Sequence, residues 1–240
     1  MTTTDPAVQK STAEAGGYIL GTYRDKKTGV LRAADAVSAL GALAGIFAQL
    51  QARAMLMSGA IPQTESTLAE VSTTTGEVYY FGDAINACVL EGNRERPSFW
   101  NLAAGAAKDP KIGNKVDVID IARHAAKAVG TPEFGKPRID KRYKLSEMPI
   151  DAVRAHGPWL LVRFLEHNLD PPNLMWVWGS VAQSFAPFAA GEIKEVEVDV
   201  AMKRVDIVKL YLEAAVPASK LDLRTVGMAI EMPPPKAPLT

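Results

Sequence analysis

The sequence predicts a helix-dominated α+β fold: one long apolar helix at the centre, further helices packed on it, a β-hairpin and one further candidate strand. Three observations carry this reading. Residues 30–59 are apolar around nearly the whole circumference of an ideal helix. Two short runs rich in β-branched and aromatic residues flank the turn Thr73-Thr74-Thr75-Gly76. Much of the remaining chain falls into helical segments bounded by start and stop residues.

Taken in order, residues 1–17 are rich in Thr, Ala and Ser and read as a mobile lead-in, with one helical turn started by Asp5-Pro6. Residues 18–24 form a short apolar run before the turn composition Asp25-Lys26-Lys27-Thr28-Gly29, a strand or irregular segment packed on the long helix. In that helix Leu40, Leu43, Phe47, Leu50, Ala54 and Met57 line one seam at alternating three- and four-residue steps. Gly41, Ala44, Gly45, Ala48 and Ala52 make a second face, small enough for another backbone to approach closely. Only a narrow stripe through Asp35, Ser38, Gln49 and Arg53 is polar. Two surfaces therefore need cover, and a homodimer is the expected source of one of them. Gly59 and Pro62 end the helix.

Residues 68–72 and 77–81 predict the hairpin, which needs a third strand or a helix to cover it. Helices are expected at 83–91, 98–108, 116–129, 150–156, 158–168 and 171–185. Pro158 should break or kink the chain there, because its ring excludes an N–H donor. Asp170-Pro171 suits a cap and first turn. Residues 195–200 alternate acid and valine, from Glu195 to Val200, as a half-buried strand with an acidic outer face would. The rival reading makes them an extension of the next helix, 203–215. Residues 130–149 read as the one plausible linker or simply as a long loop. The domain reading is thus a single globular unit over 18–231, between the 1–17 lead-in and a Pro-rich mobile tail at 232–240.

Composition narrows the function classes. The 27 basic and 27 acidic residues cancel, so no global field steers nucleic acid or an anionic membrane towards the chain. The single cysteine, Cys88, excludes an intrachain disulfide framework. The N-terminus lacks the pattern of a secretory signal, and the most apolar run, 36–48, is shorter than the roughly 20 residues that cross a bilayer. A soluble, cytoplasmic protein without membrane contact is expected.

Three constellations are candidates for chemistry. Asp117, Asp120 and His124 share one helical face, and Asp120 with His124, one turn apart, could hold a metal ion or pair on the surface. Trp159, Phe164, Trp176, Trp178, Phe185 and Phe188 crowd into thirty residues; Trp159, Trp176, Trp178 and Phe185 are the candidate walls of a site for a small apolar ligand, with core packing as the competing role. Lys136, Arg138, Lys141, Arg142 and Lys144, with Tyr143 among them, could meet phosphates or dock on the acidic face Glu195, Glu197 and Asp199. Gly82-Asp83-Ala84-Ile85-Asn86-Ala87 followed by Leu90-Glu91 resembles a short stretch of class III nucleotide cyclases; the two upstream metal-binding aspartate strands of those enzymes are absent, so it implies no assignment. Cys88 reads as a small core residue, and no GxSxG, P-loop, GxGxxG or paired CxxC occurs. The leading expectation is a binding or scaffold protein that forms homo-oligomers. The alternatives are a metal-assisted hydrolase using Asp120 and His124, and nucleic-acid binding through the basic segment. No cofactor is identified.

Overall fold

The computed structural model describes residues 5–93 and 95–228. It opens on a full helix in place of the expected lead-in with one helical turn followed by a strand or irregular segment: α1 spans Pro6–Tyr23. Asp5 caps it, accepting a hydrogen bond from the Ala7 amide at 2.8 Å, and Pro6 occupies the first turn, where its missing N–H costs nothing. Val8, Ser11, Ala15, Ile19 and Tyr23 turn inward at helical spacing. Two of these five are small or polar, so the row is faint in the sequence. The expected tail, 232–240, lies outside the described residues.

The axis of the fold is α2 (Ala33–Met57), within the expected 30–59. Of its 25 residues 22 are buried, so nearly all of its cover comes from the same chain. By length and mean hydropathy, 1.5, α2 is the one described helix that could cross a bilayer, and it is longer than the 36–48 run suggested. Its most apolar window is wholly enclosed by the surrounding protein. The small-residue face meets α8 (Arg204–Ala218). A Cβ added to Gly41 would lie 2.4 Å from the Tyr211 carbonyl oxygen, and one on Gly45 2.0 Å from that of Ala215. The two backbones touch there. This corrects the expectation that a second subunit covers this face, because α8 already fills it.

The polar stripe of α2 ties neighbouring segments down. Asp35 accepts hydrogen bonds from the amides of Ser146 at 2.8 Å and Glu147 at 3.3 Å, holding the chain just before α6 (Pro149–Glu166). Gln49 donates to the carbonyls of Ser219 and Leu221, both at 2.9 Å, just beyond α8.

The hairpin pairs β1 (Ala69–Ser72) with β2 (Val78–Phe81), Ala69 opposite Phe81. Its cover is local. Tyr79 packs edge-on against Phe134, ring centroids 4.8 Å apart, and forms an isolated antiparallel bridge with Leu221. Then come α3 (Asp83–Asn86) with a π-helical turn at Ala87–Glu91, α4 (Phe99–Ala103) with a 3-10 turn at Ala104–Ala107, and α5 (Val118–Ala128). A 3-10 turn at Pro171–Asn173 leads into α7 (Leu174–Ala189).

Two further expectations change, and a third is decided between its alternatives. Pro158 does not break the chain: α6 runs through it as one helix. The bond it forfeits is to the carbonyl of Arg154, an exposed residue, where water can take its place. Residues 195–200 are neither strand nor helix. Val196 is buried and Glu195, Glu197 and Asp199 are exposed, as the alternation implied, but Val198 is half-buried, Val200 is exposed, and the ladder consists of one parallel bridge, Leu31 to Val198. The chain offers them a single residue before α2 and no strand edge. Of the two readings of residues 130–149 the long loop is the one observed, packed with Phe134 and Tyr143 buried.

Candidate functional site

The expected pair on α5 is present but differently used. Asp117 caps the helix, accepting from the Asp120 amide at 2.9 Å. The Asp120 carboxylate forms an ion pair with Arg138 at 2.8 Å. Arg138 also reaches Glu213 of α8, at 2.9 Å, a carboxylate 3% exposed. Burying that carboxylate is tolerable because the guanidinium fork satisfies it. His124 lines a shallow cleft with Ala125, Ala128, Glu133, Lys136 and Glu213. The cleft offers about 10 Å³, room for about one water. Among the described residues no three His, Cys, Asp or Glu side chains converge as a metal site requires. Asp120 and His124 therefore lack a third ligand, and the arrangement fastens the 130–149 loop to α5 and α8.

Three of the five basic side chains of the same loop are held in ion pairs, while Lys141 and Lys144 are exposed. Arg138 is held by Asp120 and Glu213, Lys136 pairs with Glu133 at 2.9 Å, and Arg142 pairs with Asp140 at 2.8 Å. Tyr143 is buried and donates to Asp206 at 2.9 Å, so it cannot stack on a base. The acids that receive this segment are Asp120, Asp206 and Glu213; the expected face at Glu195, Glu197 and Asp199 is not the partner.

The four aromatic candidates do not share a pocket. Trp178 is fully buried, its ring 5.3 Å from Phe47 and 6.0 Å from Phe164, and Phe185 is core as well. Trp176, two residues from Trp178 on α7, is half-buried on another face, as the roughly 200° between such positions requires. Trp159 is 41% exposed on α6, stacked on Tyr18 with centroids 4.3 Å apart.

That last contact opens the part of the molecule that sequence reasoning missed, the junction of α1 with α6. Tyr18 Oη is hydrogen bonded to His156 Nδ1 at 2.9 Å, and the Tyr23 hydroxyl donates to Glu147. Burial pushes the His156 pKa down, against the Glu147 charge, so the ring favours its neutral form. Burial, then the Glu147 bond, pushes the Tyr23 hydroxyl up and keeps it protonated. Further along, Arg163 pairs with Glu14 at 2.7 Å, and His167, capping α6, bonds Ser11 at 3.0 Å. Outside this buried polar seam, Trp159, Val162 and Leu165 form an exposed row on α6, 41%, 52% and 64% accessible. Their three-residue spacing was visible in the sequence; that the row faces outward was not, since α6 was read as two helices.

Cys88 and Lys220 are buried at the helical stretch that follows β2. Burial pushes the Cys88 thiol up to about 12, consistent with a core residue and unsuited to a thiolate nucleophile. Lys220 is held by Asn86 at 2.9 Å, and burial pushes its ammonium down to about 8. The stretch from Gly82 to Glu91 is a tight turn into a short helix: Gly82 adopts φ +141°, and a Cβ there would meet the Thr67 carbonyl at 2.4 Å. No family model, curated protein or solved structure matches this chain.

Proposed function

We propose that this chain is a binding or scaffold protein that self-associates through the outer face of α6. The observation that carries the reading is the row Trp159, Val162 and Leu165, which holds on one helix face three of the seven exposed large hydrophobic residues among the described residues. Residues at i, i+3 and i+6 form one of the ridges along which helices pack together. A second copy of the same face is the occupant that the charges favour. Asp151 pairs with Arg154, and Arg163 pairs with both Glu14 and Glu166, so each end of the row is neutralised within the chain. A strongly charged partner finds nothing to complement there, whereas two like faces meet without net repulsion. A stable dimer buries about 800 Å² per partner, so the neighbouring surface of α1 around Tyr18 must join the contact. The cytoplasm suits a chain whose one cysteine is buried and unpaired with another.

The test is sedimentation at tens of micromolar. Wild type should run near twice 25.8 kDa, and the double variant Val162→Glu with Leu165→Glu should run as a monomer with an unchanged helical spectrum. A monomeric wild type removes self-association, and a dimer that survives the double variant removes this face.

A further inference from the structure

Arg53 lies near the C-terminal end of α2, where the hairpin and the 3-10 turn Leu223–Val226 close over the helix. It is only 9% exposed, yet no carboxylate among the described residues lies within 4.0 Å of its guanidinium. Its Nε is sealed from water with no acceptor in reach. The head group lies over the Tyr80 ring, 4.1 Å from the centroid. The nearby acids are committed elsewhere. Glu70 accepts the Tyr80 hydroxyl at 2.9 Å, and Arg224 grips Asp222 through Nε at 2.9 and 3.0 Å and through Nη2 at 2.7 Å. The Asp222 carboxyl is raised by burial, but the Arg224 bonds and charge, with the more distant Arg53, hold it below its ordinary range.

A buried guanidinium that meets the ring and hydroxyl of Tyr80 and only the more distant charge of Asp222 is incompletely compensated, which opposes folding. By contrast Arg138, at 37% side-chain exposure, holds two carboxylates. We propose that Arg53 is the anchor of a binding site for a small oxyanion, of carboxylate or phosphate type, at the seam between α2, the hairpin and the 223–226 turn. The planar fork of arginine suits two oxygens of one oxyanion, and the Tyr80 ring walls the other side. Nε faces inward, so the ligand approaches the Nη edge. This site is separate from the α6 face and does not depend on self-association.

The experiment uses the full chain in chloride buffer at constant ionic strength, titrated with inorganic phosphate and, separately, with acetate. Calorimetry and thermal unfolding should show saturable binding of at least one of the two and a rise in Tm that chloride does not produce. Arg53→Met should abolish the saturable part, and Arg53→Lys, which keeps the charge but loses the fork, should weaken it about tenfold. Two results overturn the proposal: no saturable response in wild type to either anion up to tens of millimolar, or the same response in Arg53→Met, which would mean adventitious surface binding. If Arg53→Met does not fold, the wild-type titration and Arg53→Lys still decide, because an unaltered affinity in the lysine variant also overturns it.

Discussion

Gly45→Ala tests how tightly the centre of the fold is built. The added Cβ would lie 2.0 Å from the Ala215 carbonyl oxygen, whereas ordinary contact begins at 3.4 Å, so α2 and α8 must separate locally by about 1.4 Å. The obstacle is backbone on a buried helix, which cannot rotate away as a side chain would. Overpacking of this kind costs about 1–3 kcal/mol, sometimes more. Alanine returns about 0.8–1.0 kcal/mol through its better helix propensity. Because the obstacle is backbone, the cost lies at the upper end of the overpacking range, and the net loss should be about 2 kcal/mol. Gly45→Leu, adding three more carbons at the same place, should reach or exceed the top of the overpacking range. Gly21→Ala supplies the control, because nothing lies within 4 Å of a Cβ there. That substitution should stabilise by about 0.5–1 kcal/mol. Urea unfolding followed by circular dichroism measures both signs. Since the neighbour is α8 of the same chain, sedimented mass should not respond to Gly45→Ala. Equal or greater stability of Gly45→Ala would refute the backbone contact, and a Gly21→Ala as damaging as Gly45→Ala would refute the argument from open space.

Two further outcomes follow from burial. Trp178→Ala should cost about 3–5 kcal/mol, the range for a buried aromatic, while Trp159→Ala should cost about 0.5–1.5 kcal/mol, the worth of its stack on Tyr18; equal and large losses in urea unfolding would place Trp159 in the core. His156 titrates from an unfolded value of 6.5 to a lower folded value, so below that pH the unfolded chain binds the extra proton first and stability falls. The contribution is whole above about pH 6.5 and is lost as pH drops through the folded pKa, so urea midpoints at pH 7.5 and 5.5 should differ more in wild type than in His156→Gln. Equal differences would show that the ring is not held neutral.

Much of the architecture was legible because helical and strand periodicity are local properties. The all-round apolar surface of α2, the Thr73 to Gly76 turn between β-branched runs, and the start signals of α4 and α5 belong to a few neighbouring residues each, and each element forms where its pattern lies. Asp120 and His124 were correctly placed one turn apart for the same reason. What failed was whatever depended on a distant partner. The inward row of α1 contains Ser11 and Ala15, which signal little until His167 and the faces of α6 and α7 receive them. The alternation of residues 195–200 turns Val196 inward and the acids outward but leaves Val200 exposed and forms no strand, because pairing needs an edge and only Leu31 is there. The sequence required that both faces of α2 be covered; it could not say that α8, some 170 residues away, supplies one of those covers with its own backbone. Arg138 was one charge among five until Glu213 and Asp120 claimed it, and Arg53 was a polar spot on a stripe until the hairpin closed over it and left it without a carboxylate. A residue's tendency to be helical or buried is written in its neighbours along the chain, but its charge partner and its cover are chosen by long-range packing.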